Sequence, residues 1–308
     1  MAYLQFKIII TTKRGNGGVA MLYGSIELGG TNCNCAIGKS DGTIIKKIQY
    51  PTEAPEKTVK DIVSFFKENE VCAIGIGCFG PVNVDRESQN YGMLLGTPKK
   101  AWMNYPFLKK LREELGIPIT LHTDVTVSGL GEAMILEKNE MVLYLTIGTG
   151  VGGGTIVNGA LPNLPHHPEM GHITLQRLEE DEDFESVCPY HANCFEGLAS
   201  GTAINKRWDQ KGNELPSDHP AWEMEADYIA QGVCQLIFTL APTLIILGGG
   251  VMKRKNLLPI IHEKVSEKIG GYYFYDKLKK VEELIILPRH GEDSALIGGL
   301  LMTHIPKI

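Results

Sequence analysis

An α/β fold of two lobes is the architecture this 308-residue sequence predicts, and three observations carry it. Glycine-turn hairpins occur twice, in residues 23–37 and 142–157, roughly 120 residues apart, the mark of a duplicated design. Helical and strand-like spacings alternate between and after them. The apolar fraction, 43 %, supplies a full core for one large domain or two of ordinary size.

The chain opens on MAYLQFKIIITTKRGNGG, whose short apolar core is broken by Lys7 and lacks a persuasive cleavage site, so it does not read as a signal peptide. The globular pattern begins at Met21 and Leu22. Residues 1–21 are therefore set apart as an extension, and a chain starting at Met21 is expected to fold and act like the whole. In residues 23–37, Ile26 and Leu28 lead into Gly29 and Gly30, after which Cys33, Cys35 and Ile37 alternate with polar residues: strand, turn, strand. A second turn follows at Asp41 and Gly42.

Residues 55–69 carry helical spacing through Val59, Ile62, Val63 and Phe66, and residues 71–76 form an apolar strand ending at Gly77, Cys78, Phe79, Gly80 and Pro81. A helix over 107–115 stops at Gly116 and Pro118. The strand 119–121 then delivers His122, Thr123 and Asp124 to a helix whose apolar face is Val127, Leu130 and Met134. Asp124 stands where a helix N-cap stands, and Asp is favoured there by the exposed N–H groups and the helix dipole. A general base at a strand end is the other reading of the same residue.

The second hairpin, VLYLTIGTGVGGGTIV, is followed by an Asn158, Gly159 turn and another short strand. Its glycines satisfy G-x-G-x-x-G, but a dinucleotide fold requires a helix next, and a hairpin follows instead. Gly38, Lys39 and Ser40 resemble the end of a phosphate loop, yet position 33 is Cys rather than Gly and the segment is a turn. Both matches are set aside. Glycine hairpins can present bare N–H groups and the Thr31 and Thr149 hydroxyls to phosphate oxygens; they can equally be tight turns and nothing more.

Downstream, residues 222–240 form a long amphipathic helix stopped by Pro242, and the buried strand 243–247 runs into Gly248, Gly249 and Gly250, a turn open enough for a flat ligand. A strand over 284–287 and an apolar helix over 294–305, in which Gly298 and Gly299 permit close packing, complete the pattern.

Composition narrows the partners. The net charge is −6 and the lysines occur as isolated pairs, a pattern that more often marks solvated surface than a phosphate-tracking stripe and makes nucleic acid an unexpected partner. No apolar run approaches the roughly 20 residues of a membrane span. Seven cysteines are an odd number, and Cys33, Cys35, Cys72, Cys78 and Cys234 sit inside apolar runs as small hydrophobes, a usage that fits a reducing cytoplasm.

The densest chemistry lies in residues 166–201. Glu169 and His172 are followed by Cys188, His191 and Cys194 at even steps, with Glu196 just beyond. Thiolate and imidazole are the ligands Zn²⁺ prefers, and C-x2-H-x2-C is tight enough for one loop, so His172, Cys188, His191 and Cys194 make a candidate closed tetrahedron. On that reading the metal fixes one nitrogen of the His172 ring, while Glu169 and Glu196 emerge beside it as hydrogen-bond acceptors. Two solvent histidines with two unrelated or redox-paired thiols are the alternative.

Taken together, these motifs resemble the ROK family of sugar kinases and repressors. Glu27, Leu28, Gly29, Gly30 and Thr31 look like its first phosphate motif, residues 145–153 its second, and 247–251 its adenosine motif. His167, Pro168, Glu169, Met170, Gly171 and His172, with the loop ending at Cys194, Phe195, Glu196 and Gly197, look like its signature. Residues 96–102, 188–191 and 194–201 resemble the fructokinase branch.

The resemblance implies the actin-like ATPase (ribonuclease H-like) fold of the hexokinase type, with ATP and sugar in the cleft between a small lobe, residues 22–121 plus 293–308, and a large lobe, 122–292, holding a zinc loop at 172–194. It implies Asp124 as the base; Glu169, His172, Glu196, Gly80 and Thr123 around the sugar; and Gly29, Gly30, Thr31, Asn32, Thr149, Gly150, Gly152, Gly201, Gly249 and Gly250 around ATP. Mg²⁺, a structural Zn²⁺ and a homodimer come with it, and phosphorylation of fructose to fructose 6-phosphate is the expected activity. A broader hexokinase or a catalytically weak sugar sensor are the alternatives; a repressor is set aside because about 20 residues precede the pattern, too few for a helix-turn-helix domain. Three positions depart from the family: Glu27 replaces the usual Asp, as its fructokinase branch tends to do, Asn32 a common Lys, and Thr126 an Asn on the sugar side of the cleft.

Overall fold

Apolar alternation along the first hairpin becomes strands β1 (Tyr23–Leu28) and β2 (Asn32–Gly38), antiparallel with Leu28 opposite Cys33. They are seen in a computed structural model that describes residues 21–97, 99–133, 141–272 and 276–303; the expected extension, Met134 and the end of the last helix at Ile305 lie outside those residues. β3 (Ile44–Pro51), β4 (Ile74–Cys78) and β5 (Ile119–Thr123) complete a sheet of order β3-β2-β1-β4-β5, in which β1, β4 and β5 run parallel. Helices α1 (Pro55–Lys67) and α2 (Phe107–Leu115) pack with it, burying Ile62, Phe66, Phe107 and Leu111 in one cluster with Ile26 and Ile76.

α3 (Asp124–Ala133) carries the chain to the second sheet, of order β7-β6-β8-β9: β6 (Met141–Ile147), β7 (Val151–Val157), β8 (Leu244–Gly248) and β9 (Ile285–Ile286). The glycine hairpin recurs here, antiparallel, with Ile147 opposite Val151. Helices α4 (Phe195–Ala199), α5 (Gly201–Trp208), α6 (Ala221–Leu240), α7 (Leu257–Ile269) and α8 (Val281–Leu284) contribute to its core, where Phe195, Tyr228 and Ile237 are buried. α9 (Ser294–Met302) then packs on β1 and β4 of the first sheet and along α3, which itself touches both sheets.

That crossing is close because it is built from glycine. A Cβ on Gly298 would lie 1.9 Å from the Val127 carbonyl oxygen, one on Gly131 2.1 Å from that of Ser294, and one on Gly75 2.0 Å from that of Gly299. Backbone meets backbone at all three places.

Four local expectations change. The strand expected over 71–76 starts at Ile74, because Cys72 and Ala73 bond instead to Leu22 and Gly24 as a connecting segment. Cys72 is accordingly exposed rather than a core residue. The strand expected after the Asn158, Gly159 turn is a single bridge between Val157 and Ala160. Asp124 is not the cap of its helix: it is the first helical residue, and the Thr123 hydroxyl accepts the Thr126 N–H at 3.4 Å in the capping position.

Candidate functional site

Parallel strands point their C-terminal ends the same way, and in open α/β sheets ligands collect at such ends. Here β1 ends just past Glu27, β5 one residue before Asp124 and β8 at Gly248, and Glu27, Asp124 and Gly248 line one cavity of about 440 Å³, together with Tyr144, Gly249, Gly250, Lys253, Pro288 and Glu292. The cavity therefore draws its walls from both sheets.

Its two inner carboxylates are electrostatically strained. Burial, and then the charge of Glu27, push Asp124 up to about 7. Glu27 is itself raised, first by burial and then by Asp293 and Glu292, while the Asn34 amide, donating at 2.7 Å, works the other way. A buried carboxylate raised by burial and by neighbouring carboxylates is what a divalent cation relieves, and Mg²⁺ takes oxygen ligands, so Glu27 fits that ion. Val125 N–H donates to the Asp124 carboxylate at 2.9 Å, which fixes the side chain at the helix start.

Thr123 and Thr126 are both buried, and their hydroxyls bond each other at 2.7 Å. Thr126, 1 % exposed, is buried at the helix start. Thr123 holds that start from below Asp124.

The two hairpin turns are held differently. Gly29 N–H donates to Asn32, Thr52 bonds both Gly29 and Thr31, and Gly30, Thr31 and Asn32 stand exposed. In the second turn Gly148 N–H donates to Gly150, Gly201 N–H to the Gly148 carbonyl at 2.7 Å, and the Thr202 hydroxyl to the Thr149 carbonyl at 2.6 Å. The start of α5, capped by Ser200, is thereby tied to the turn carrying exposed Thr149. Gly249 has φ +91 and its Cβ would lie 2.4 Å from the Ile147 carbonyl oxygen, so only glycine fits beside this hairpin. A Cβ on Gly152 would lie 3.1 Å from the Val125 side chain, so this glycine serves the packing of β7 on α3.

Across from these loops, His167 Nε2 lies 3.0 Å from Glu169 and faces the open side of Gly80, 3.5 Å from where its Cβ would be. The His167 contact lowers the Glu169 carboxyl below its ordinary value. His167 also opposes the rise of Asp124, and with burial as the larger cause it helps drive His122 down to about 3. Gly80 and Glu169 thus meet at His167, a residue that sequence reasoning placed in a motif but gave no role. The signal was present: it is the polar residue two before Glu169 in the signature. Tyr144, inside the second hairpin, was given no role, and the Lys253, Glu292 ion pair on the cavity wall carried no motif at all.

His172, Cys188, His191 and Cys194 also converge, with one ligand atom from each within 4.8 Å of every other. His172 Nδ1 is 3.9 Å from Cys188 Sγ and 3.7 Å from Cys194 Sγ, and Cys188 Sγ is 3.6 Å from His191 Nδ1. Ordinary zinc bond lengths at tetrahedral angles put a sulfur and a nitrogen about 3.6 Å apart, so the donor set and its spacing fit that ion. The next residues of this loop enter α4, where Glu196 accepts the Val151 N–H at 3.1 Å from across the second hairpin.

Residues 23–305 match the ROK family. The chain belongs to the ROK family. A protein of Bacillus subtilis that carries a fructokinase name is 44 % identical over 92 % of this chain and 95 % of its own length. The fructokinases of Pediococcus pentosaceus and Lactococcus lactis are each 40 % identical, over 92 % and 93 % of this chain and 97 % and 98 % of theirs. Among solved structures, the ROK hexokinase of Thermus thermophilus superposes with a TM-score of 0.73 at 22 % identity, over 92 % of this chain and 98 % of that one. A Streptomyces griseus ROK glucokinase in complex with glucose and AMPPNP does so with a TM-score of 0.71 at 21 % identity, over 92 % and 99 %. The two-sheet architecture is thus that of the ROK sugar kinases, as the motifs implied.

Proposed function

We propose that this ROK protein phosphorylates fructose with ATP, yielding fructose 6-phosphate and ADP, with Asp124 as general base. The observation that carries the reading is the set of fructokinase-named relatives at 35 to 44 % identity over at least 91 % of the chain. The glucokinase of Streptomyces coelicolor matches at 26 % over 62 % of the chain, which ranks fructose above glucose.

Asp124 accepts the proton of the 6-hydroxyl as that oxygen bonds to the γ-phosphorus and the bond to ADP breaks. A carboxyl poised near neutrality suits this task. Phosphoryl transfer needs positioning more than covalent help, and the exposed turns with Gly30, Thr31 and Thr149 supply N–H and hydroxyl donors for phosphate oxygens. Gly29, Asn32, Gly150 and Gly201 shape those turns, Gly152 keeps β7 close to α3 beside them, and Gly249 and Gly250 leave a bare wall for the adenosine. Mg²⁺, held from the Glu27 side, neutralises phosphate charge when bound.

Glu169, His172 and Glu196 hold the other sugar hydroxyls, with Gly80 leaving room and Thr123 fixing the base from below. His172 Nδ1, Cys188, His191 and Cys194 would hold a structural Zn²⁺, which would leave the other His172 nitrogen for the sugar. The lobe boundaries near residues 122 and 293 follow the two passages between the sheets, α3 and the start of α9. Among the described residues no helix is long and apolar enough to cross a membrane; a cytoplasmic homodimer completes the proposal.

An ADP-release assay across fructose, mannose, glucose and N-acetylmannosamine tests it. The highest kcat/KM with fructose is expected. Equal rates on several hexoses make the protein a broader hexokinase, and sugar binding without ADP release makes it a sensor.

A further inference from the structure

Glu132 lies on α3 about two turns beyond Asp124 and is 1 % exposed. Its carboxylate accepts three hydrogen bonds, all from one short stretch: from Arg289 N–H at 2.8 Å, His290 N–H at 2.9 Å and the Ser294 hydroxyl at 2.6 Å. A buried carboxylate of this kind is held in place strongly, because losing its donors would leave the charge unsolvated.

The stretch it grips has two other properties. Pro288, Gly291, Glu292 and Ala295 form a wall of the same cavity into which Asp124 projects. It is also where the chain leaves β9 of the second sheet for α9 on the first, while α3 is the earlier passage between the sheets. Glu132 therefore ties both passages together. The glycine contacts between α3 and α9 fix how near the helices come; the carboxylate fixes where the cavity wall stands along α3.

We propose that Glu132 is a positioning residue for phosphoryl transfer: it yokes the helix that aims Asp124 to the 288–295 wall of the nucleotide cavity, so that base and nucleotide keep one register. The assignment rests on the reading of that cavity as the ATP site. In a Glu132→Gln variant one amide N–H must face a backbone N–H, and in Ser294→Ala one of the three donors is gone while the carboxylate stays satisfied by two.

The test is steady-state kinetics of wild type, Ser294→Ala and Glu132→Gln with ATP and fructose varied separately, alongside calorimetric titration with MgADP. The expected result is graded: KM for ATP and Kd for ADP rise about threefold in Ser294→Ala and about tenfold in Glu132→Gln, the scale of one charge-assisted hydrogen bond. kcat falls in step, and KM for fructose stays within about twofold. Unchanged nucleotide constants in both variants, whether or not Tm falls, overturn the proposal, as does a parallel rise in both substrates' KM. Should Glu132→Gln not fold, Ser294→Ala decides alone. An inactive wild type would sink the functional reading separately, and ADP affinity would then judge Glu132.

Discussion

The Glu196 carboxylate accepts the Val151 N–H at 3.1 Å and occupies the space a Cβ on Gly150 would take, 2.4 Å away. A residue expected at the sugar is thereby in contact with the turn expected at the phosphates. Gly150→Ala pushes against the far end of a flexible side chain, so the fold should survive with a Tm within a few degrees of wild type. Displacing Glu196 should raise KM for fructose and lower kcat, each several-fold. Kinetics that match wild type would show that the contact does not matter.

The zinc cluster makes a stoichiometric prediction. Metal analysis of the purified protein should find about one zinc per chain, since four protein ligands close the tetrahedron. Cys194→Ser should lower both Tm and fructose affinity while leaving ATP affinity largely intact, because the loop that positions His172 and leads into Glu196 loses its anchor and the glycine turns do not. A metal-free protein that is fully active would remove zinc from the account.

At the α3 and α9 crossing, Gly298→Ala places a methyl group 1.9 Å from a backbone oxygen that no side-chain rotation can move. A loss of about 3 kcal/mol or more in denaturant unfolding is expected, at the upper end of overpacking costs. A loss below ~1 kcal/mol would mean that the helices slide apart freely.

Glu225 on α6 is 1 % exposed, and neither carboxylate oxygen has a hydrogen-bond partner. Burial pushes it up to about 8; the Arg207 guanidinium, which is bonded to Asp181 with the Tyr228 hydroxyl beside it, pulls weakly the other way. A folded-state value above the unfolded one means that the folded protein holds the proton more tightly. The associated stability is complete below about pH 4.5, falls as pH rises to about 8, and amounts to at most ~5 kcal/mol. Glu225→Gln cannot ionise, so its Tm advantage over wild type should grow from pH 5 to pH 9. An advantage independent of pH would contradict a protonated Glu225.

Much of this was legible along the chain because its cause is local. Period-two alternation around Gly29 and Gly148 gave both hairpins, and the stop at Gly116 gave the end of α2 to the residue. The ligand spacing of Cys188, His191 and Cys194 was legible for the same reason. What escaped notice depends on residues far apart in sequence. Glu132 reads as one more polar residue on a helix until the stretch from Arg289 to Ser294 folds onto it. His167 gains its place from Gly80, which lies just past the end of β4 and 87 residues earlier in the chain. Asp124 looked like a cap because Asp favours caps, but Thr123 is equally able to cap, and only the backbone geometry decides between neighbours.

The central claim is that Asp124 removes the fructose proton. The direct measurement is turnover of Asp124→Asn with saturating MgATP and fructose, with ADP affinity and Tm recorded on the same sample. Asparagine can still accept the Val125 N–H, so fold and nucleotide affinity should match wild type, and kcat should fall by about 10²-fold or more because the amide cannot take the proton. Near wild-type turnover in a folded, ADP-binding Asp124→Asn protein would contradict the account and leave Asp124 as a helix-start residue only.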